Sequence, residues 1–131
     1  MTPRHAAIFS AFLDSTLGRG IGYWWRPRGY SMEPAIRDGE RVLVGPAVPH
    51  GLRVGDVVKY RVGDELRMHR LVEILAGDGG PRFVLRGDTG DLQDTVAPGD
   101  VIGRALAVER DGKPVALDPV PVRRPRRLWG R

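Results

Sequence analysis

The chain has 131 residues, no cysteine and a formal net charge of +5, and its length suits one domain with a core of its own. The absence of cysteine excludes disulfides, thiolate metal sites and cysteine nucleophiles, and the three histidines show no metal-ligand spacing, so we expect no metal or other cofactor. No stretch reaches the roughly 18 apolar residues of a membrane span, and no secretory cleavage region is recognised. We therefore expect a cytoplasmic protein, with a peripheral membrane position as the alternative.

The positive charge is concentrated at the C-terminus, where residues 119–131 contain five arginines and no acidic residue. Without these arginines the basic and acidic residues number 16 each, so the rest of the chain is close to neutral and we expect no specific nucleic-acid partner. We predict that this tail is disordered and solvated. The alternative is a tail that binds acidic lipid, RNA or an acidic protein, with Trp129 contributing to the contact.

Residues 1–18 are predicted to form one N-terminal helix. Thr2 suits the N-cap, Pro3 suits the first helical position, and Gly18 suits the end of the helix. Between them, apolar residues recur at helical spacing, at Ile8, Phe9, Phe12, Leu13 and Leu17. We expect this helix to pack on the body by its apolar face; the alternative is a helix that lies on a membrane surface or on a partner.

Residues 19–118 are predicted to form a small, mainly antiparallel β domain. The predicted strands lie within residues 20–28, 41–44, 54–61, 66–75, 82–86, 101–109 and 114–117. A hairpin turn is predicted at Gly63-Asp64, and loops are predicted at residues 45–51, 76–81 and 87–99. Alternation places Trp24 and Trp25 on opposite faces of the first strand, where an exposed tryptophan suits either a lipid headgroup layer or a groove for an extended peptide. The alternative is that one tryptophan packs in the core and the other at its rim, without a binding role.

The segment that follows the first strand, residues 29–39, reads Gly-Tyr-Ser-Met-Glu-Pro-Ala-Ile-Arg-Asp-Gly. Gly29 permits a positive φ, Met32 can anchor a turn in apolar surroundings, and Pro34 fixes φ and removes a backbone donor. A lone serine in a turn usually only hydrogen-bonds its own backbone. Here the flanking residues predict a rigid turn that presents the hydroxyl of Ser31.

A serine hydroxyl becomes a nucleophile only with a base within hydrogen-bond reach. The chain offers three candidates, His69, His50 and Lys59. The pKa of a histidine starts near the range that general-base catalysis needs, whereas a lysine would need heavy desolvation. In the predicted strand over residues 66–75, His69 also lies away from the more apolar face. We therefore favour a functional role for His69 over the interpretation that it is a buried core histidine.

Four blocks of the chain resemble, in order, those of type I signal peptidases and their LexA-like relatives. Gly29-x-Ser31-Met32-x-Pro34 resembles the nucleophile segment, and residues 57–72, 86–94 and 100–105 are similar to the strands and the Lys-Gly-Asp segment that follow it. The resemblance implies a β fold of that type and a serine endopeptidase with Ser31 as nucleophile. It also implies that His69 is the base, as in the histidine branch typical of the endoplasmic reticulum and archaea.

The same resemblance implies two functional aspartates and a peptide-binding segment. Asp94 falls on the aspartate of the catalytic triad and Asp88 on a second functional aspartate, and the sequence leaves open which of them faces His69. The expected substrate is an extended peptide with small residues before the scissile bond. The residues expected to contact it are Gly29, Tyr30, Met32 and Pro34.

Two departures from the family pattern bear on function. Many signal peptidases carry a hydroxyl oxyanion donor at the position of Gly29, so the donor that remains here is the Ser31 backbone N–H. Two alternatives follow: the enzyme is slow, or it recruits another donor such as Thr89. Signal peptidases also carry membrane anchors, and none is recognised here, so we expect the substrate to be a precursor peptide or protein cut in the cytoplasm or at a membrane surface.

Two other functions are compatible with the same scaffold. One is a non-catalytic peptide-binding module, which Gly29 favours and the retained Ser31 and His69 oppose. The other is a LexA-like self-cleaving regulator, which is disfavoured because no helix-turn-helix precedes the domain and no lysine occupies the position of the base.

Overall fold

The computed structural model describes residues 21–117, which form eight β-strands and two short 3-10 turns, Pro49–Gly51 and Pro98–Asp100. The strands are β1 (Tyr23–Trp25), β2 (Val42–Gly45), β3 (Val57–Val62), β4 (Glu65–Leu75), β5 (Arg82–Arg86), β6 (Gln93–Val96), β7 (Val101–Arg110) and β8 (Lys113–Ala116). Within residues 21–117, no helix has the length and apolar character that a bilayer crossing requires.

All eight strands belong to one antiparallel sheet. Its order is β1-β2-β7-β3-β4-β5-β6, and β8 pairs with β7. β7 is paired along both edges, with β2 on one side and with β3 and then β8 on the other. The predicted mainly antiparallel β fold is thus confirmed for the part of the chain that the structure describes.

Two strand predictions are corrected, and two other predictions lie outside the described residues. The first strand is shorter than residues 20–28, because only Tyr23–Trp25 pair with β2. The predicted loop over residues 87–99 contains β6, whose backbone pairs with β5 although its side chains are largely polar and exposed. The predicted helix over residues 1–18 and the predicted tail over residues 119–131 are not described.

The core lies on both faces of the sheet. One cluster, here called the first cluster, packs β2, β3, β4 and β7 against the turn after β1. It comprises Met32, Ile36, Val42, Val44, Val57, Met68, Ala105 and Val108. The second cluster comprises Leu52, Val58, Tyr60, Leu71, Phe83, Leu85 and Val96. Because β3 and β4 contribute side chains to both clusters, they form the buried frame of the domain.

This two-sided core corrects the reason given above for favouring His69. Arg67, His69 and Leu71 share a face of β4, as predicted, but Leu71 is fully buried in the second cluster. The face of His69 therefore contributes to the core further along the strand, and its being the less apolar face does not set His69 apart from the core.

The two tryptophans of β1 pack on different clusters, in agreement with the predicted opposite faces. Trp24 packs on Leu43 and Ala107, with the Arg41 guanidinium 5.0 Å from its ring centroid. Trp25 packs on the first cluster, and the Lys59 ammonium lies 4.2 Å from its ring centroid. Both tryptophans are partly buried, so neither is the freely exposed side chain that the lipid-headgroup alternative requires.

The strand register brings polar side chains together on the face of the second cluster. Tyr60 on β3 lies directly opposite Arg67 on β4, and the two-residue period places His69 on the same face. Asp94 on β6 lies opposite Leu85, a residue of the second cluster, and so points to this face as well. Three strands thus deliver a histidine, a tyrosine and an aspartate to one place.

Candidate active site

Ser31 stands on a tight turn that is anchored by its apolar neighbours. The Glu33 N–H donates to the Tyr30 carbonyl at 3.1 Å, and the Ile36 N–H donates to the Met32 carbonyl at 2.9 Å. Met32 and Ile36 are only 4% and 3% exposed, which confirms that Met32 anchors the turn in the core. These buried side chains hold the turn against the sheet, and Ser31, which directly precedes Met32, is half-buried.

The loop after β5 braces the Ser31 backbone from the other side. The Thr89 N–H donates to the Ser31 carbonyl at 3.0 Å. A Cβ atom added at Gly87 would lie 2.8 Å from both the Ser31 Cβ and the Ser31 carbonyl oxygen, so only glycine permits this close approach. The position of the hydroxyl is therefore fixed by contacts on both sides.

The Ser31 hydroxyl contacts the imidazole of His69. Oγ and Nε2 are 3.1 Å apart, which is hydrogen-bond distance, and the His69 side chain is 12% exposed. Burial lowers the pKa of His69 below its ordinary value of 6.5, against the opposing charge of Asp94. The imidazole is therefore neutral near pH 7, and a neutral imidazole can accept the serine proton.

The other imidazole nitrogen faces Asp94 through a tyrosine. His69 Nδ1 and Asp94 Oδ2 are 4.0 Å apart, too far for a direct hydrogen bond. The Tyr60 hydroxyl lies between them, 2.6 Å from Nδ1 and 2.6 Å from Oδ2. Arg67 Nη1 donates to both Asp94 oxygens, at 2.9 and 3.0 Å.

The charges of this cluster are fixed by its hydrogen bonds. Burial acts to raise the pKa of the Asp94 carboxyl, but hydrogen bonds from Tyr60 and Arg67 hold that pKa below its ordinary value. Burial, followed by the bond to Asp94, raises the pKa of the Tyr60 phenol. Near neutral pH the cluster therefore contains an aspartate anion and a protonated tyrosine.

Asp88 occupies a different place from Asp94. Its two carboxylate oxygens accept from Arg70 Nε and Nη2, both at 2.9 Å, and Arg70 is only 3% exposed. Arg70 also donates to the Gly55 carbonyl at 2.8 Å. Of the two aspartates that the sequence left open, Asp94 is thus the one directed toward His69, whereas Asp88 is bonded to Arg70.

The two other candidate bases lie elsewhere. His50 is exposed in the turn Pro49–Gly51. Lys59 points away from Tyr60, toward the opposite face of β3, where its ammonium donates to the Tyr23 hydroxyl at 3.0 Å and lies over Trp25. Neither therefore replaces His69 as the partner of the serine.

Ser31 and His69 open onto a cleft of about 720 Å³. One wall is formed by residues 25–29 and the other by residues 64–69, and Met32 and Ile36 contribute from the serine turn. Of the four residues predicted to contact substrate, the cleft includes Gly29 and Met32. The other two, Tyr30 and Pro34, are exposed and do not line it.

The second oxyanion donor expected from the sequence is directed elsewhere. The Thr89 hydroxyl donates to the Tyr30 carbonyl at 3.4 Å, rather than pointing freely at the serine. Gly29, with φ of 88°, supplies no side-chain donor. Of the two oxyanion donors considered from the sequence, the Ser31 backbone N–H therefore remains as the candidate.

Sequence reasoning missed Tyr60 and Arg67. Both sit on predicted strands, and a hairpin register about Gly63-Asp64 pairs them directly, so the register was the signal that could have found them. The register of this hairpin could not show that Asp94 lies on a third strand, β6, and points to the same face of the sheet.

Among residues 21–117, no group of three or more histidine, cysteine or acidic side chains is arranged to hold a metal ion. Comparisons of the chain with models of protein families, with curated proteins and with solved structures found no match.

Proposed function

We propose that this protein is a serine endopeptidase of the signal-peptidase-like class, with a β domain of the signal-peptidase/LexA type. The observation that carries the proposal is the 3.1 Å contact between Ser31 Oγ and His69 Nε2 at the edge of an open cleft. The resemblance of the sequence blocks supports the same assignment. Ser31 is the proposed nucleophile, His69 the base, and Asp94 the carboxylate that supports the base.

The proposed reaction begins when Ser31 Oγ bonds to the carbonyl carbon of the scissile peptide while its proton moves to His69 Nε2. The tetrahedral intermediate collapses by breaking the C–N bond, and the leaving amine takes that proton from Nε2. Water then attacks the acyl-serine ester with His69 again as base, which releases the second product and restores Ser31.

The cleft favours an extended peptide as substrate. Residues 25–29 and 64–69 line it together with Ser31 and His69, and it is partly open to solvent. The partly buried Trp25 is one of the wall residues, which favours the peptide-groove interpretation of the tryptophans over the lipid one. Because Gly29 lacks the side-chain oxyanion donor, we expect turnover about a hundredfold or more below that of an enzyme with both donors.

The proposal is tested with a fluorophosphonate probe, read by intact mass. Wild type is compared with Ser31→Ala, His69→Ala and the control His50→Ala, which removes an exposed histidine. We expect one probe adduct on wild type and on the control, and none on the other two variants. An adduct on Ser31→Ala would contradict the assignment of the nucleophile.

A peptide library with small residues at varied positions supplies the second measurement, with fragments identified by mass spectrometry. Cleavage by wild type and not by Ser31→Ala is the expected result. Peptides that bind to wild type and to Ser31→Ala equally, without cleavage by either, would instead favour the peptide-binding module.

A further inference from the structure

The Tyr60 hydroxyl is placed where a catalytic triad would have a direct bond between histidine and aspartate. Its oxygen is 2.6 Å from His69 Nδ1 and 2.6 Å from Asp94 Oδ2, while these two atoms are 4.0 Å from each other. The carboxylate therefore reaches the imidazole only through the phenol.

The direction of each hydrogen bond in this chain follows from proton counting. A carboxylate only accepts hydrogen bonds, and the arginine that contacts both Asp94 oxygens favours the ionised form. The single phenolic proton of Tyr60 must then point at Asp94. The Tyr60 oxygen can only accept from His69, so Nδ1 carries the imidazole proton and Nε2 presents its lone pair to Ser31.

The scaffold holds Tyr60 in this place. Tyr60 is fully buried in the second cluster, and its ring lies 5.9 Å from the His69 ring, centroid to centroid, at an interplanar angle of 53°. On β3 it is directly opposite Arg67, the residue that holds the other side of Asp94. A side chain packed in this way has little freedom to release the bond.

We propose that Tyr60 is a positioning residue that transmits the orientation of the Asp94 carboxylate to His69 and fixes the Nδ1–H tautomer of the imidazole. The proposal deepens the proposed function, on which its catalytic consequence rests. The tautomer itself does not depend on peptidase activity.

In the proposed reaction, Tyr60 keeps its phenolic proton and acts only through its hydrogen bonds to His69 and Asp94. When His69 Nε2 takes the Ser31 proton, the imidazolium donates its Nδ1–H to the Tyr60 oxygen, and the phenolic proton stays on Tyr60 and directed at Asp94. The positive charge remains on the imidazole ring. When Nε2 returns its proton to the leaving amine, the starting pattern of hydrogen bonds is restored.

The first test is the tautomer of His69, measured by two-bond ¹H–¹⁵N correlations on the full chain with ¹⁵N-labelled histidine at mildly alkaline pH. His69→Ala identifies the resonances. We expect Nδ1 to carry the proton in wild type and also in Ser31→Ala, because Tyr60 rather than the serine fixes it. A dominant Nε2–H form in wild type would overturn the proposal, even if no Tyr60 variant folds.

The second test uses Tyr60→Phe, which removes one buried oxygen and keeps the ring. We expect the Nδ1–H form to fall to a minor fraction, because the bond that selects it is gone. The matched control is Tyr23→Phe, which removes a phenolic oxygen that contacts Lys59 instead. A dominant Nδ1–H form in folded Tyr60→Phe, equal to that in the control, would overturn the proposal.

Probe labelling separates this proposal from the proposed function. We expect Tyr60→Phe to be labelled at least about tenfold more slowly than wild type and Tyr23→Phe to keep the wild-type rate, since a misoriented base loses part of its contribution. If no protein is labelled, wild type included, but wild type retains the Nδ1–H form, the result would contradict the peptidase function and support the positioning role of Tyr60. Rapid labelling of a wild-type protein whose His69 carries its proton on Nε2 would support the peptidase function and overturn the proposal for Tyr60.

Discussion

Two arginines three residues apart on β4 each bind an aspartate from a later part of the chain, Arg67 binding Asp94 and Arg70 binding Asp88. Arg70 is buried, and its fork holds Asp88 through two bonds of 2.9 Å. The Arg67 side chain is 30% exposed and is shared between Asp94 and Glu65. The alternation of the strand sends Arg67 to the face of Tyr60 and Arg70 to the opposite face.

The difference shows that what a carboxylate contacts besides its arginine decides its role. Asp94 accepts from Tyr60 and so acts on His69. Asp88 lies between Gly87 and Thr89, the two residues that brace Ser31, so its bond to Arg70 fixes the loop that packs against Ser31. One pair is connected to His69, the proposed base, and the other to the loop that contacts Ser31.

The largest expected difference between the two pairs is in the rate of probe labelling, which Asp94→Asn should reduce. The substitution replaces an anion that can only accept hydrogen bonds with an amide that can also donate, so Tyr60 and, through it, His69 lose their fixed orientation. We expect labelling of Ser31 to slow by roughly a thousandfold. Because Arg67 is solvent-accessible, the free energy of unfolding should change by about 1 kcal/mol or less. Labelling rate and urea denaturation of the same preparation check both halves of this prediction.

The reverse pattern is expected for Asp88→Asn. Removing one charge of the buried pair leaves Arg70 uncompensated, and we expect a loss of about 3 kcal/mol in the free energy of unfolding. The control is Asp78→Asn on an exposed loop, for which we expect a change within about 0.5 kcal/mol. If Asp88→Asn proved as stable as wild type but as slow as Asp94→Asn, the division of roles would be wrong.

The brace behind the nucleophile is tested by Gly87→Ala. The added methyl group would meet the Ser31 Cβ and carbonyl oxygen at 2.8 Å, so the loop or the serine turn must move, at a cost of about 1–3 kcal/mol. Gly99→Ala is the matched control, because a Cβ there meets nothing within 4 Å. Equal unfolding free energies for the two variants would show that the loop does not brace Ser31.

The separation of these roles marks how far the sequence alone could go. The serine turn around Ser31 is a local feature of the sequence, whereas His69 was chosen among three candidate bases chiefly because its sequence block resembles that of the signal peptidases. Whether Asp88 or Asp94 faces the histidine stayed open, since the answer depends on how the loop after β5 folds back. That loop ends in β6, a strand stabilised by its pairing with β5 rather than by an apolar pattern.

The contribution of Tyr60 was invisible for a related reason. Its sequence context, Val58-Lys59-Tyr60-Arg61, is that of an ordinary strand, and a buried strand tyrosine most often serves packing. Its role depends on three strands in register and on an aspartate 34 residues away. The prediction that His69 lies away from the core face of β4 failed for the same reason. Both faces of β4 are covered, and this is visible only in the folded sheet.

The smallest expected effect is a shift in the pH dependence of labelling. It compares how strongly Asp94 and Asp88 each affect the pKa of His69. His69 must be neutral to accept the Ser31 proton, and burial lowers its pKa, so the acidic limb of the rate should have its midpoint below 6.5. Asp94 and, to a lesser degree, Asp88 oppose this shift, because a nearby anion favours the imidazolium. Asp94→Asn should therefore lower the pKa of His69 further, and Asp88→Asn should lower it less. NMR titration of His69 in the three proteins measures this order directly, and a larger decrease in Asp88→Asn would reverse the assignment of Asp94 as the anion nearer to the base.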